Sequence, residues 1–266
     1  MINVAVAGAS GRMGSRLLYV LRGEEDLVLI GATEREGHPD IGRDAGEAAG
    51  VGELGVKITG DIAEAAARAH GIIDFTLPAS TLANAQYASR SAKAMVIGTT
   101  GLSDAEKSRL KELTEGFPCV FAPNMSVGVN VMLEVAGILA RLLGEGYDVE
   151  IIEAHHKHKV DAPSGTALKL AEVIAEALSR DLSKVARFER HGQIGQRPEG
   201  EIGIQTLRGG DVVGEHTAIF FGSGERIELT HRAMSRDNFA VGAVRAMRWL
   251  VGKPPGLYTM NDVLGI

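Results

Sequence analysis

Five consecutive residues, His155, His156, Lys157, His158 and Lys159, set three imidazoles beside two ammonium groups. Side chains of these types donate protons and bind anions. A turn follows at Asp161-Ala162-Pro163, and Ser164-Gly165-Thr166 then opens an apolar-periodic helix through Leu168, Leu170, Ala171, Ile174, Ala175 and Leu178. A helix start carries unpaired N–H groups and attracts anions without further help. Upstream, Val149 to Ile152 reads as a strand. Strand, cation cluster and helix start together describe a pocket for a small carboxylate-bearing molecule, with titratable groups at one edge.

Two other readings compete for the cluster. On a strand His156 and His158 would share a face and could both reach a zinc ion, with Asp161 or His231 as a third ligand; no third ligand stands out by spacing, so no metal is expected. A solvated patch of charge is the plainer alternative. The nearby helix start favours chemistry over both. Five potential cations so close repel one another, so each should lose its proton more readily than alone, and an arriving carboxylate would restore the charged donors.

A second chemistry-bearing stretch lies at the N-terminus. The β-branched run Ile2 to Ala7 ends in Gly8-Ala9-Ser10-Gly11-Arg12-Met13-Gly14, which leads into a helix over Ser15 to Leu21. Strand, glycine turn and helix are the context of a dinucleotide-binding loop, although G-x-x-G-x-x-G is one residue longer than the commoner spacing. Glu34 ends the next strand, Leu27 to Thr33, twenty residues after Gly14, where an acid should meet the adenosine ribose. Arg35 beside it could pair with a 2′-phosphate. Both NADH and NADPH therefore remain possible cofactors.

The elements that must position these residues alternate regularly. After a Gly-rich, charged loop at 36–60, helices are expected over Asp61 to Ala69, Ser80 to Lys93 and Ser103 to Thr114. Strands are expected over Gly71 to Phe75, Ala94 to Ile97 and Cys119 to Ala122. Such alternation implies a doubly wound parallel sheet, whose ligands bind beyond the carboxyl ends of the strands. Gly8 to Met13, Glu34, Thr76, Gly98-Thr99-Thr100 and Asn124 all fall at that edge. A long helix, Ser126 to Leu143, then changes the pattern. Glu201 to Leu207, Val212 to Phe221 and Arg226 to His231 alternate apolar and polar residues, with a turn at Gly222-Ser223-Gly224. They predict a mixed or antiparallel sheet in a second, smaller α+β domain, one face of which could join copies of the chain. A last helix spans Asn238 to Leu250.

Composition sets the bounds. With 266 residues, 45% of them hydrophobic, the chain can build one large or two modest cores. A net charge of −6 with no long basic stripe argues against nucleic-acid binding. The lone Cys119 lies in an apolar run, which suits a buried structural thiol and a reducing compartment. No signal-like segment precedes Ile2, and Asn130, Glu134 and Arg141 interrupt the most apolar stretch, so a cytoplasmic protein without a membrane span is expected.

These motifs resemble the 4-hydroxy-tetrahydrodipicolinate reductase (dihydrodipicolinate reductase) family of diaminopimelate and lysine biosynthesis. The likeness runs through G-A-S-G-R-M-G, Glu34-Arg35, G-T-T-G at 98–101, A-P-N-M-S-V-G-V-N at 122–130 and E-A-H-H-K-H-K-V-D-A-P-S-G-T-A at 153–167. The resemblance implies reduction of a cyclic, doubly carboxylated imine by NADPH or NADH, with loss of water. It implies an acid/base role for His155, proton donation by Lys159, and substrate binding by His156, Gly165 and Thr166. Cofactor contacts would be Gly8, Ala9, Ser10, Gly11, Arg12, Met13, Glu34, Arg35, Gly98, Thr99, Thr100, Ala122, Pro123, Asn124 and Met125. It also implies a homotetramer, a dinucleotide-binding domain of residues 1–126 and 238–266, and a substrate-binding and oligomerisation domain of residues 127–237. A dehydrogenase acting on an amino acid such as aspartate is the enzyme alternative, and a nucleotide-binding regulator without turnover the non-enzyme one.

Overall fold

The computed structural model describes residues 1–266, and its first strand shows how the sheet is built. Val4 and Val6 of β1 (Ile2–Ala7) enter one core with Leu17, Leu18, Ala243 and Met247, while Ala5 and Ala7 enter another with Ile72, Met95, Ile97 and Leu110. Side chains alternate across a strand, so a strand buried on both faces needs apolar residues at every position. The pattern repeats in β2 (Leu27–Thr33), β4 (Gly71–Asp74), β5 (Ala94–Ile97) and β6 (Pro118–Phe121), where the last three of these are almost wholly buried. With the short β3 (Ile58–Thr59) and a late β12 (Gly256–Tyr258), they form a seven-stranded sheet in the order β12-β6-β5-β4-β1-β2-β3, parallel throughout. Helices Arg12–Leu21 and Asp237–Leu250 supply one core, and helices Pro78–Ser91 and Asp104–Leu113 the other.

The chain divides into two compact units, Met1–Val127 with Arg236–Ile266, and Gly128–Ser235. The second unit holds a mixed five-stranded sheet in the order β11-β10-β7-β9-β8. Its strands are β7 (Asp148–His155), β8 (Ala186–Arg187), β9 (Ile202–Arg208), β10 (Gly214–Gly222) and β11 (Glu225–Ala233). β10 runs antiparallel to β7 and β11, whereas β9 runs parallel to β7 and β8. Val149 and Ile151, Ile202 and Ile204, and Ala218 and Phe220 pack one face against Leu170, Ala171 and Ile174 of helix Gly165–Ala177 and against Met132, Ala136 and Ala140 of helix Val127–Leu143.

Three sequence expectations need correcting. The segment 36–60 is not all loop: Asp44 accepts the N–H groups of Gly46, Glu47, Leu54 and Val56, and this local polar knot organises helix Ala45–Ala48 ahead of β3 without any periodic signal. Asp61 does cap a helix, but that helix stops at Ala65. β7 ends at His155, and Lys157-His158 form a turn, so strand alternation does not place His156 and His158. By length and composition alone Val127–Gly146 could cross a membrane; Met132, Ala136 and Ala140 are nonetheless buried in the core of the second unit.

Candidate active site

In the first unit, the loops that follow β1, β2, β4, β5 and β6 share one edge, because their strands are parallel neighbours. Gly8 turns at a φ of +75°, which favours glycine, and a Cβ at Gly14 would stand 2.0 Å from the Gly8 carbonyl oxygen. The loop can close onto the helix only with glycine at both places. Gly11 is the N-cap of helix Arg12–Leu21 and has no side chain to offer, so no side chain caps the N–H groups of the first turn, which suits an anion. Glu34 Oε1 accepts the N–H of Ser10 at 3.0 Å, and Arg35 beside it is exposed. This cradle fits a dinucleotide pyrophosphate with its ribose toward β2.

Beyond β4 and β5 a buried carboxylate joins two of the loops. Asp74 is fully buried and accepts from the N–H and hydroxyl of Thr76 at 2.9 and 2.7 Å, from the hydroxyls of Thr81 and Thr99 at 3.1 and 3.2 Å, and from Asn84 Nδ2 at 2.8 Å. The Thr99 side chain is thus turned inward, which leaves its backbone for any ligand. Gly98 passes so close to the Phe75 ring that a Cβ would lie 2.1 Å from it. Ala9, Ala122 and Met125 are core residues, whereas Thr100 and Pro123 are exposed at the edge; Asn124 Oδ1 accepts the N–H of Ser126. Asp74 carries no sequence signal beyond its place at a strand end.

In the second unit the helix-covered face of β7 runs Val149, Ile151, Glu153, His155, so the apolar core passes directly into polar residues. Glu153 is fully buried. Its Oε2 meets His155 Nδ1 at 2.6 Å and Arg208 Nη1 at 2.8 Å, while Oε1 accepts from Arg208 Nη2 and from Ser164 N–H, both at 2.9 Å. Ser164 caps helix Gly165–Ala177 through its hydroxyl, which accepts the Ala167 N–H at 3.2 Å and also lies 2.9 Å from His216 Nε2. Gly165 and Thr166 form the first turn of that helix. Lys159 Nζ pairs with Asp161 at 2.9 Å, and His156 Nδ1 is buried with no protein partner.

Burial pushes the Glu153 carboxyl up, but the Arg208 guanidinium, His155 and the Ser164 N–H outweigh it and hold the group at about 2. His155 lies below its ordinary value chiefly through burial; Glu153 pulls it back up, and Lys159 and Arg208 press it down. Loss of water, more than crowding among residues 155–159, therefore weakens its hold on a proton. Burial and the neighbouring His155 lower His216 to about 4. The rings of His155 and His216 meet edge to face with centroids 5.2 Å apart. No three His, Cys, Asp or Glu side chains gather closely enough to hold a metal ion.

Glu153, Ser164, Arg208 and His216 were not singled out as site residues from the sequence. Glu153 was within reach, since it stands two residues before His155 on one strand face. Arg208 and His216 arrive from β9 and β10, whose register with β7 no local pattern discloses.

Comparison with known proteins identifies the family of the chain. Residues 2–125 match the family model described as dihydrodipicolinate reductase, N-terminus, and residues 128–264 match its C-terminus counterpart. A 4-hydroxy-tetrahydrodipicolinate reductase of Geotalea uraniireducens is 52% identical over 266 residues, covering 100% of both chains. One of Syntrophobacter fumaroxidans is 53% identical over 266 residues with the same coverage. Among solved structures, a dipicolinate-bound dihydrodipicolinate reductase from Paenisporosarcina sp. TG-14 shares the fold, with a TM-score of 0.78 at 24% identity over 98% of each chain. GenD2 from gentamicin A biosynthesis, solved with NAD, has a TM-score of 0.61 at 15% identity, covering 99% of this chain and 90% of its own. With both halves matched and full-length relatives more than half identical, this chain belongs to the dihydrodipicolinate reductase family.

Proposed function

We propose that the protein reduces 4-hydroxy-tetrahydrodipicolinate to tetrahydrodipicolinate, with loss of water, in diaminopimelate and lysine biosynthesis. The observation that carries this reading is the pairing, within one unit, of a carboxylate-held imidazole at His155 with the start of helix Gly165–Ala177, linked through Glu153 and Ser164. A proton donor beside an anion-attracting helix start suits a ring that bears carboxylates and must gain a proton.

A nicotinamide dinucleotide supplies the hydride when bound. Gly8, Ala9, Ser10, Gly11, Arg12 and Met13 would cradle its phosphates, Glu34 and Arg35 its adenosine ribose, and Gly98 to Thr100 with Ala122 to Met125 the rest. The exposed Arg35 beside Glu34 supports use of both NADPH and NADH, because the acid suits a free ribose hydroxyl and the guanidinium a 2′-phosphate. His155 would act as acid, giving a proton to the reduced ring. Lys159 would offset charge on the ring or a carboxylate and serve as a second donor. His156, Gly165 and Thr166 would bind substrate; the unpartnered Nδ1 of His156 supports a polar role for that ring.

The same reading makes the protein a cytoplasmic homotetramer. Leu207 and Phe221 lie exposed on the sheet face turned away from the helices, which supports that face as the subunit contact. Its one cysteine, Cys119, is buried and unpaired, in keeping with a reducing compartment. The decisive assay is oxidation of NADPH and NADH with freshly generated 4-hydroxy-tetrahydrodipicolinate. Turnover well above that with aspartate-derived or other amino-acid substrates is expected, and nucleotide binding without turnover would defeat the reading.

A further inference from the structure

We propose that Glu153 is the positioning residue of this site: it selects the working tautomer of His155 and fixes that ring against the helix start at Ser164. The proposal rests on the reading of His155 as the acid.

The partners of Glu153 dictate the tautomer. Besides Arg208, which donates twice, the Ser164 N–H donates at 2.9 Å and the Thr206 hydroxyl at 3.3 Å. An ionised carboxylate only accepts, and Arg208 in close contact favours that ionised form. His155 Nδ1, 2.6 Å from Oε2, must therefore carry the hydrogen, so Nε2 faces substrate. The imidazolium gives up its Nε2 proton, and the neutral ring left behind keeps Nδ1–H on Glu153 with Nε2 bare. The chain keeps space on that side. Gly214, at the start of β10, lies beside the ring, and a Cβ there would lie 3.0 Å from His155 Nε2.

A buried ion pair is by itself weak evidence for any role, since desolvation offsets most of its attraction. Glu153 is more than half of a pair. One oxygen holds the imidazole and the other holds the backbone N–H of Ser164, so a single rigid group spans the proton donor and the helix that begins at Gly165. Ser164 is fixed in turn by its own cap bond to Ala167 and by His216. The charged and titratable groups facing His155 are then Glu153 and Lys159 from its own segment, Arg208 from β9 and His216 from β10, with His231 on β11 acting on His216.

The test uses the full-length enzyme with selectively 15N-labelled histidine, in wild type, Glu153→Gln and Glu153→Asp. In the substrate-free wild type, His155 should show a protonated Nδ1 and a bare Nε2 in its neutral form. In Glu153→Gln the amide can donate to Nδ1 instead, so the other tautomer should appear. Its kcat should fall roughly 10²–10⁴-fold, as a wrong tautomer does in hydrolase triads. The titration of His155 should move to lower pH, both by NMR and in the limb of kcat/KM, because the carboxylate that raised it is gone. Glu153→Asp keeps the charge, so it should retain the tautomer and lose less activity. Affinity for nucleotide should not change in either variant. An Nε2-protonated His155 in the wild type overturns the proposal, as does a Gln variant with kcat and titration within twofold of wild type. Should the Gln variant fail to fold, the wild-type tautomer and the Asp variant decide. Absence of wild-type turnover would remove the assigned reaction and leave the tautomer measurement standing.

Discussion

Glu34 and Ser10 are joined by one hydrogen bond, from the Ser10 N–H to Glu34 Oε1 at 3.0 Å, which ties the end of β2 to the glycine loop after β1. The acid is therefore held at the loop, and the adjacent Arg35 is exposed. Choice between NADPH and NADH should fall mainly on that arginine.

Arg35→Ala is expected to weaken NADPH more than NADH. Loss of a charge-assisted bond to a 2′-phosphate costs about 1.5–3 kcal/mol, so KM for NADPH should rise roughly 10- to 100-fold while that for NADH changes little. Steady-state kinetics with both cofactors checks this, and equal losses would remove the assignment.

His155→Gln should lower kcat roughly 10²–10⁴-fold, the usual contribution of a placed general acid, with a smaller change in KM. A variant with near-normal kcat would show that the proton comes from elsewhere.

Thr166→Ala should act on KM instead. A single neutral hydrogen bond is worth about 0.5–1.5 kcal/mol net, which corresponds to a rise of roughly two- to tenfold in KM for the dicarboxylate substrate. A fall in kcat alone would contradict a binding role.

His216 predicts an acid sensitivity. Its folded-state value of about 4 lies below the ordinary 6.5, so the unfolded chain takes up the proton first as pH falls. Its contribution is fully present above 6.5 and is lost progressively down to about 4, by as much as about 3 kcal/mol. Thermal unfolding measured from pH 7 to pH 4 should show this decline, and His216→Gln should flatten part of it. An unchanged profile in the variant would place the sensitivity on other groups.

Gly242→Ala tests the packing of helix Asp237–Leu250 within the first unit. A Cβ at Gly242 would lie 1.7 Å from the Met125 carbonyl oxygen. Helix propensity alone favours alanine, yet overpacking of this kind costs about 1–3 kcal/mol, so the net change should be a lower Tm. A higher Tm would mean the helix can move away at no cost.

Much of the first unit is legible in the chain because its signals are local. The glycine loop, the acid after β2 and the helix that Ser103 opens each need only neighbours in sequence, and β2 and β5 have the bounds their apolar runs suggest. Segment 36–60 was not legible. Asp44 organises it through bonds to residues 10 and 12 positions away, which leave no periodic trace.

The histidine cluster shows the division most clearly. Residue types alone place proton donors and a helix start within residues 153–167, and the resemblance implies the reaction they would serve. Which of those donors is held by a buried partner was decided by tertiary structure. β9 and β10 flank β7 and bring Arg208 and His216 from over fifty residues away, so one histidine rests on a buried, charge-fixed carboxylate while His158 stays exposed. Desolvation and long-range pairing set a proton's affinity, and both belong to the folded chain.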